Sequence, residues 1–305
     1  MSATVNEAES RRGFSAAFGA FLTWGMLPLF IGLLKAAGAV EIMAHRVVWA
    51  CLFVFGWLAL RGQLGKVRAV LRDRAMLIKL ALSAAMISCN WLLYVWAIGA
   101  GHVIETSLGY FINPLVSVLL GVFVLRERLT RAQWLAVMIA ALGVVWLTWQ
   151  VGRLPWIALS LAMSFALYGL VRKMAVVDAI AGLGVETLLI APLMLVYLGW
   201  EWQAGTLQFL QHGSLLATLL VASGVVTAVP LVLFAYGVRR VPLSTIGLMQ
   251  YVAPTLQLLS GVFVFHESFP STQAIGFGLI WSALFVYAGE GLWRARRVRP
   301  ALATA

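Results

Sequence analysis

Apolar residues fall in ten runs of about twenty, at 14–34, 41–60, 77–99, 103–125, 132–150, 154–174, 181–200, 213–237, 243–265 and 271–290. A helix needs ~20 mostly apolar residues to cross the hydrocarbon core of a bilayer. The pattern therefore predicts an all-α polytopic membrane protein of ten transmembrane helices. The links between runs are short, and no extramembrane domain fits in what remains. The first run is too long for the core of a secretory leader and no small-residue cleavage site follows it, so it is expected to be a retained span.

The run at 103–125 carries more than apolar side chains. Thr106, Tyr110, Asn113 and Ser117 recur at spacings of four, three and four, which puts them on one helical face. Pro114 interrupts that face and leaves the Tyr110 carbonyl without its helical donor. Such a face must turn toward protein or water, away from lipid.

This helix occurs twice. With a shift of 140, Pro114 falls on Pro254, Tyr110 on Gln250 and Ser117 on Gln257, and the four residues at 121–124 recur unchanged at 261–264. The register runs without gaps from Ser83, which falls on Ser223, past Gln133, which falls on Gln273. An internal duplication follows, with a first five-helix repeat at 14–150, a second at 154–290, and polar tails at 1–13 (expected to be disordered) and 291–305. A five-span unit is odd, so the second copy must enter the bilayer upside down. Two inverted five-helix halves point to transport through a site near the midplane.

Composition sharpens this picture. Of 305 residues, 62% are apolar and 11% charged, which excludes an ordinary soluble domain. The net charge of +11 suggests nucleic acid until its placement is read. Arg61, Lys66, Arg68, Arg72, Arg74 and Lys79 share one link, Arg126, Arg128 and Arg131 another, and further arginines and lysines follow at 172–173, 239–240 and 294–299. The opposite side holds Lys35 and Arg153. By the positive-inside rule both termini are cytoplasmic and the span number is even. Cys51 and Cys89 lie in apolar runs without metal-ligand spacing and read as buried thiols.

Several polar residues sit where polarity is costly. Glu41, His45 and Arg46 open the second run. They fit an anchor for a substrate carboxylate or a proton-coupling pair, or else a structural ion pair near the helix end with Arg46 reaching the interface or Glu186. Asn90 and Tyr94 share a face of the third run, and Trp24, Tyr110 and Tyr168 lie deep in theirs. Each fits a cavity wall or plain packing. Pro28, Pro114, Pro192, Pro230 and Pro254 free the carbonyls of Trp24, Tyr110, Leu188, Val226 and Gln250, either for a ligand or for a neighbouring donor. Glu105 and His102 face the outer mouth of the fourth run, with no spacing specific for a metal. No nucleophile–base set or phosphate-cradling glycine loop occurs, so neither enzyme activity nor a cofactor or metal is expected.

Trp24-Gly25 with Pro28, then Glu41 with His45-Arg46, then ETSLGYFINP at 105–114 and the Arg-Glu-Arg turn at 126–128 resemble the drug/metabolite transporter superfamily. Among its ten-helix EamA-type members the likeness is to the branch of the RarD-like permeases and the aromatic amino-acid exporter YddG. The resemblance implies a basket of ten helices from two inverted five-helix repeats, in a bacterial inner membrane, exporting small solutes. No obligate protein partner is expected. Mixed aromatic and uncharged polar faces favour amino acids as cargo over drugs or antibiotics. The expected substrate-binding set is Trp24, His45, Asn90, Tyr94, Tyr110, Asn113, Tyr168, Gln250 and Gln257. Pro114 and Pro254 are expected as hinges, and Glu41, Arg46, Glu105 and Glu186 as a coupling or structural ion-pair group.

Overall fold

A computed structural model describes residues 2–34, 36–99, 103–151, 155–209, 211, 213–264 and 271–301. All regular structure among them is helical: α1 (Ser2–Gly32), α2 (Ala39–Leu60), α3 (Leu64–Arg72), α4 (Arg74–Gly99), α5 (Val103–Phe123), α6 (Arg131–Val151), α7 (Trp156–Met174), α8 (Ala179–Ala204), α9 (Gly213–Val238), α10 (Leu243–Met249), α11 (Val252–Phe263) and α12 (Ser271–Ala301). Seven of these contain stretches long and apolar enough to cross a membrane, and Leu108–Phe123 and Ala274–Glu290 are shorter apolar stretches.

Local chemistry sets several of the boundaries. Thr130 and Gln133 exchange backbone-to-side-chain bonds of 3.0 and 3.1 Å, a capping box that starts α6. Asp178 accepts the N–H groups of Ile180 and Ala181 at 3.1 Å each and starts α8. Gly205, at φ 70°, ends α8 in the left-handed conformation that glycine tolerates.

The structure departs from the sequence pattern at three places. The polar segment at 1–13 is not disordered as expected: α1 already begins at Ser2. The basic link after the second run folds into α3, whose Val67 and Val70 are buried while Lys66, Arg68 and Arg72 stay exposed. Valines three apart on a short charged segment were the signal for it. The ninth run is not one helix but α10 and α11, separated at Gln250 and Tyr251. Both residues keep helical φ and ψ, but the hydrogen bonds there tighten to i→i−3, from Tyr251 to Leu248 and from Ala253 to Gln250. Pro254 has no N–H to give the Gln250 carbonyl, and Ala253 takes that carbonyl at 3.3 Å.

Extensive packing joins helices of residues 1–151 to helices of residues 156–301: α1 to α9 and α11, α2 to α8 and α9, α4 to α7 and α8, α5 to α7 and α10, and α6 to α12. Small residues allow the closest crossings. A Cβ on Gly224 of α9 would lie 2.5 Å from the Trp49 backbone of α2, and one on Gly247 of α10 would lie 2.6 Å from the Pro114 carbonyl of α5.

Candidate functional site

Between these crossing helices lies a cavity of about 490 Å³. Its walls come from α1, α2, α4 and α5 on one side and from α7, α9 and the α10–α11 break on the other. Trp24, Asn90, Tyr94, Tyr110, Asn113, Gln250 and Gln257 of the sequence-derived set all line it, as do Pro254 and Arg46. Its volume lies in the range of small-molecule sites, which are ~300–1,000 Å³.

Arg46 supplies the strongest field in the cavity. Its Nε donates to Thr227 Oγ1 at 2.9 Å, and its guanidinium stands 5.3 Å from the Trp91 ring centroid. Among the described residues no carboxylate pairs with it. An arginine at the centre of an apolar span costs roughly 2.5–3.5 kcal/mol. A cation–π contact returns about 0.5–2 kcal/mol and a hydrogen bond from a charged group about 1.5–3 kcal/mol. These are comparable to the penalty, and among the described residues the two terminal nitrogens make no hydrogen bond.

The neighbouring polar groups are more fully engaged. Asn90 donates both amide hydrogens to α7, to Leu161 O at 2.8 Å and Ser164 Oγ at 2.9 Å. Gln257 donates to Trp24 O at 3.2 Å, the carbonyl that Pro28 leaves without a helical donor. Gln250 donates to Ser117 Oγ at 3.1 Å. Asn113 Oδ1 is a buried acceptor with no partner among the described residues. Apolar walls complete the cavity: Trp24 abuts Phe165 at 5.8 Å, and Tyr94 meets Tyr110 edge-on at 5.9 Å.

Two residues of the expected substrate-binding set are not at the cavity. His45 is one position, about 100° of helix rotation, away from Arg46. It is buried against the α8–α9 link, stacked on Phe209 at 4.6 Å, with Nδ1 accepting the Trp49 indole N–H at 3.1 Å. Tyr168 is buried in the core, its ring stacked on Phe234 at 5.7 Å, while Phe165 one turn earlier takes the cavity position. The expected ion-pair group also divides. Glu41 accepts the Gln208 N–H at 3.0 Å and lies 3.8 Å from His45. Glu186 pairs with Arg172 at 3.5 Å and accepts from Ser83 at 2.5 Å, so it does not reach Arg46. The side chain of Glu105 lies outside the described residues, as do Lys35, His102 and Arg153. Pro114 is not among the lining residues, and α5 passes through it unbroken.

Sequence reasoning missed Thr227, Phe21, Met43 and Phe165 in the lining. Thr227 carried a signal, as a hydroxyl three residues before Pro230 in a span. The apolar three carried none, because cavity and core positions look alike in a buried helix.

Similarity to known proteins bears on this cavity. The sequence profile of the EamA-like transporter family matches residues 11–149 and 154–289. The chain belongs to the EamA-like transporter family. It is therefore a multi-pass membrane transporter with a small-molecule cargo, rather than an enzyme. Among EamA-like relatives, Protein RarD of Streptomyces exfoliatus is 48% identical, over 98% of this chain and 95% of its own length. Protein RarD of Escherichia coli K12 is 39% identical over 96% and 99%. A Pseudomonas aeruginosa relative named Chloramphenicol-sensitive protein RarD is 31% identical over 91% and 93%. This EamA-like chain also matches a solved structure with a TM-score of 0.68 at 20% identity, covering 96% of this chain and 99% of that one, a likeness of fold.

Proposed function

We propose that this EamA-like protein exports small amphipathic solutes, amino acids foremost, across the bacterial inner membrane by alternating access. The observation that carries the reading is the cavity itself: rings, amide oxygens and one guanidinium meet between helices drawn from both ends of the chain. An aromatic or other neutral amino acid presents the matching chemistry, an apolar body beside polar ends. Among the described residues no carboxylate lines the cavity, which supports facilitated diffusion over proton coupling.

The fold reading that accompanies this function is ten spans in two inverted five-helix halves, 14–150 and 154–290, with both termini cytoplasmic. In this reading the seven long spans, the two shorter apolar stretches and the α10–α11 pair would make the ten crossings. The packing pattern supports a two-fold relation between the halves. When each span is exchanged for its counterpart five spans away, the contact of α1 with α9 becomes that of α7 with α4, and α1 with α11 becomes α7 with α5. The pairs α2–α8, α5–α10 and α6–α12 map onto themselves. A pseudo-two-fold axis relating the halves produces that behaviour, and with five spans in each half it would lie in the membrane plane. Rocking about such an axis would open the cavity alternately to each side.

Counterflow in proteoliposomes, with a panel of amino acids and drugs, tests the proposal. Accepted solutes should exchange in the wild type, and Tyr110→Ala and Asn113→Ala should each slow their exchange about tenfold, the equivalent of ~1.4 kcal/mol. An imposed pH gradient should not concentrate them. If neither substitution alters any flux, the cavity is not the route. A second cargo class, antibiotics such as chloramphenicol, is favoured by the name of the Pseudomonas relative, and the same panel separates it from amino acids.

A further inference from the structure

A zwitterion or an anion entering the cavity needs donors for its carboxylate, and three of the side-chain amides there already donate within the protein. Asn90 has given both amide hydrogens to α7. The Gln257 and Gln250 amides donate to Trp24 O and Ser117 Oγ. Arg46 differs. Only its Nε is engaged, on Thr227, and among the described residues neither terminal nitrogen has a hydrogen-bond acceptor. Those two nitrogens form the planar fork that matches a carboxylate in bidentate fashion. The Trp91 face beside the guanidinium limits its motion and excludes water from one side.

The acceptors show the complementary arrangement. Asn113 lines the cavity with only 7% of the residue exposed, and its Oδ1 has no partner among the described residues. A buried carbonyl oxygen in that state calls for a donor, and an ammonium or amide N–H on the cargo would supply it. We infer that Arg46 is the charge-selecting residue of the cavity: it holds the carboxylate of the cargo while Asn113 Oδ1 accepts an N–H from the same molecule. The inference rests on the cavity being the substrate site, and it narrows the substrate class. Carboxylates carrying an N–H donor and an apolar body fit. Organic cations meet an uncompensated arginine, and uncharged solutes leave the fork unfilled.

The test uses one scaffold in three charge states: phenylalanine, its methyl ester, which has no anion, and 3-phenylpropanoate, which has no N–H. Binding is read by tryptophan fluorescence on detergent-solubilised full-length protein, and exchange is read in proteoliposomes. The wild type should bind both carboxylates, and the ester roughly 10- to 100-fold more weakly, the range expected for hydrogen bonds to a charged group. Arg46→Gln should lose the two carboxylates by a similar factor and leave the ester unchanged. Arg46→Lys, a point charge without the fork, should recover part of the loss and also serves as a control for folding. Phenylalanine should outbind 3-phenylpropanoate, and Asn113→Ala should erase that difference. Equal binding of phenylalanine and its ester by the wild type would overturn the inference, as would a folded Arg46→Gln protein with unchanged carboxylate affinity. If no member of the series binds while an uncharged drug still exchanges, the charge assignment is wrong and the transport reading stands. If no solute exchanges at all, the transport reading falls, and the binding series still decides the role of Arg46.

Discussion

Arg172 and Glu186 show how a residue's partner, rather than its type, decides its role. Arg172 is 1% exposed and Glu186 2% exposed, and they face each other on α7 and α8 at 3.5 Å. Ser83 of α4 donates to the same carboxylate at 2.5 Å, and Arg172 also donates to Ala179 O at 3.3 Å. Gly182 makes room for the guanidinium, since a Cβ there would collide with Nη1. Removing one member of a buried pair strands a charge and costs ~3–5 kcal/mol. Glu186→Ala should therefore unfold at markedly lower denaturant or temperature than the wild type in detergent. A stability change under 1 kcal/mol would show that the pair is not what joins α4, α7 and α8. From the sequence Glu186 looked like a partner for Arg46, because both are ionisable groups in apolar runs. Arg172, at the end of its run, read as one more cytoplasmic charge. Proline accounting is similar: the sequence shows which carbonyls lose a donor, but not that Gln257 reaches Trp24 from another helix or that Ala253 satisfies Gln250 from the next residue but two.

At the scale of elements, the duplicated runs did not fold alike. α5 passes through Pro114 as one helix, whereas its counterpart breaks into α10 and α11 just before Pro254. α10 crosses α5 where Gly247 lies against the Pro114 carbonyl. At the far end of α10, Glu127, beyond α5, accepts the N–H groups of Leu243 and Ser244 at 2.7 and 2.9 Å. Lys173 lies 3.7 Å from the same carboxylate and donates to Val238 O and Val241 O at 3.1 and 2.6 Å. A carboxylate at a helix start gains from both the unpaired N–H groups and the helix dipole. In the proposed topology this contact ties the two halves together on the cytoplasmic side, and it must release for the cavity to open there. Glu127→Ala should raise the maleimide labelling of a cysteine placed at Ser117, added from the cytoplasmic side in a background lacking Cys51 and Cys89. Unchanged labelling would rule out a latch. The sequence marked Glu127 only as part of a charged turn, because its partners are backbone groups more than a hundred residues away.

For the whole molecule, the decisive relation is the proposed inversion between its halves. Matched spans, self-mapping helix pairs and the family match in two segments, 11–149 and 154–289, support a two-fold repeat, and the odd number of spans proposed for each half makes it an inverted one. Labelling cysteines at Lys66 and His266 in intact cells measures it directly. In the proposed arrangement they lie on opposite faces of the membrane, although each follows an even-numbered span of its own repeat. His266, with Glu267 and Ser268, lies outside the described residues. A shared face would make the halves parallel and remove the axis about which the cavity is proposed to open.

The sequence alone determined that the chain is helical and lies in a bilayer, and it named seven of the nine residues expected to bind substrate that line the cavity. Length and hydropathy fix spans because bilayer thickness is a one-dimensional constraint, and polar residues in apolar runs are few enough to stand out. Which way each side chain points, and what it meets there, only the tertiary structure decided. His45 and Arg46 are neighbours in sequence, yet one faces Phe209 and the other the cavity. A single step along a helix turns a side chain by about 100°, and no local pattern says which of the surrounding helices stands at that angle.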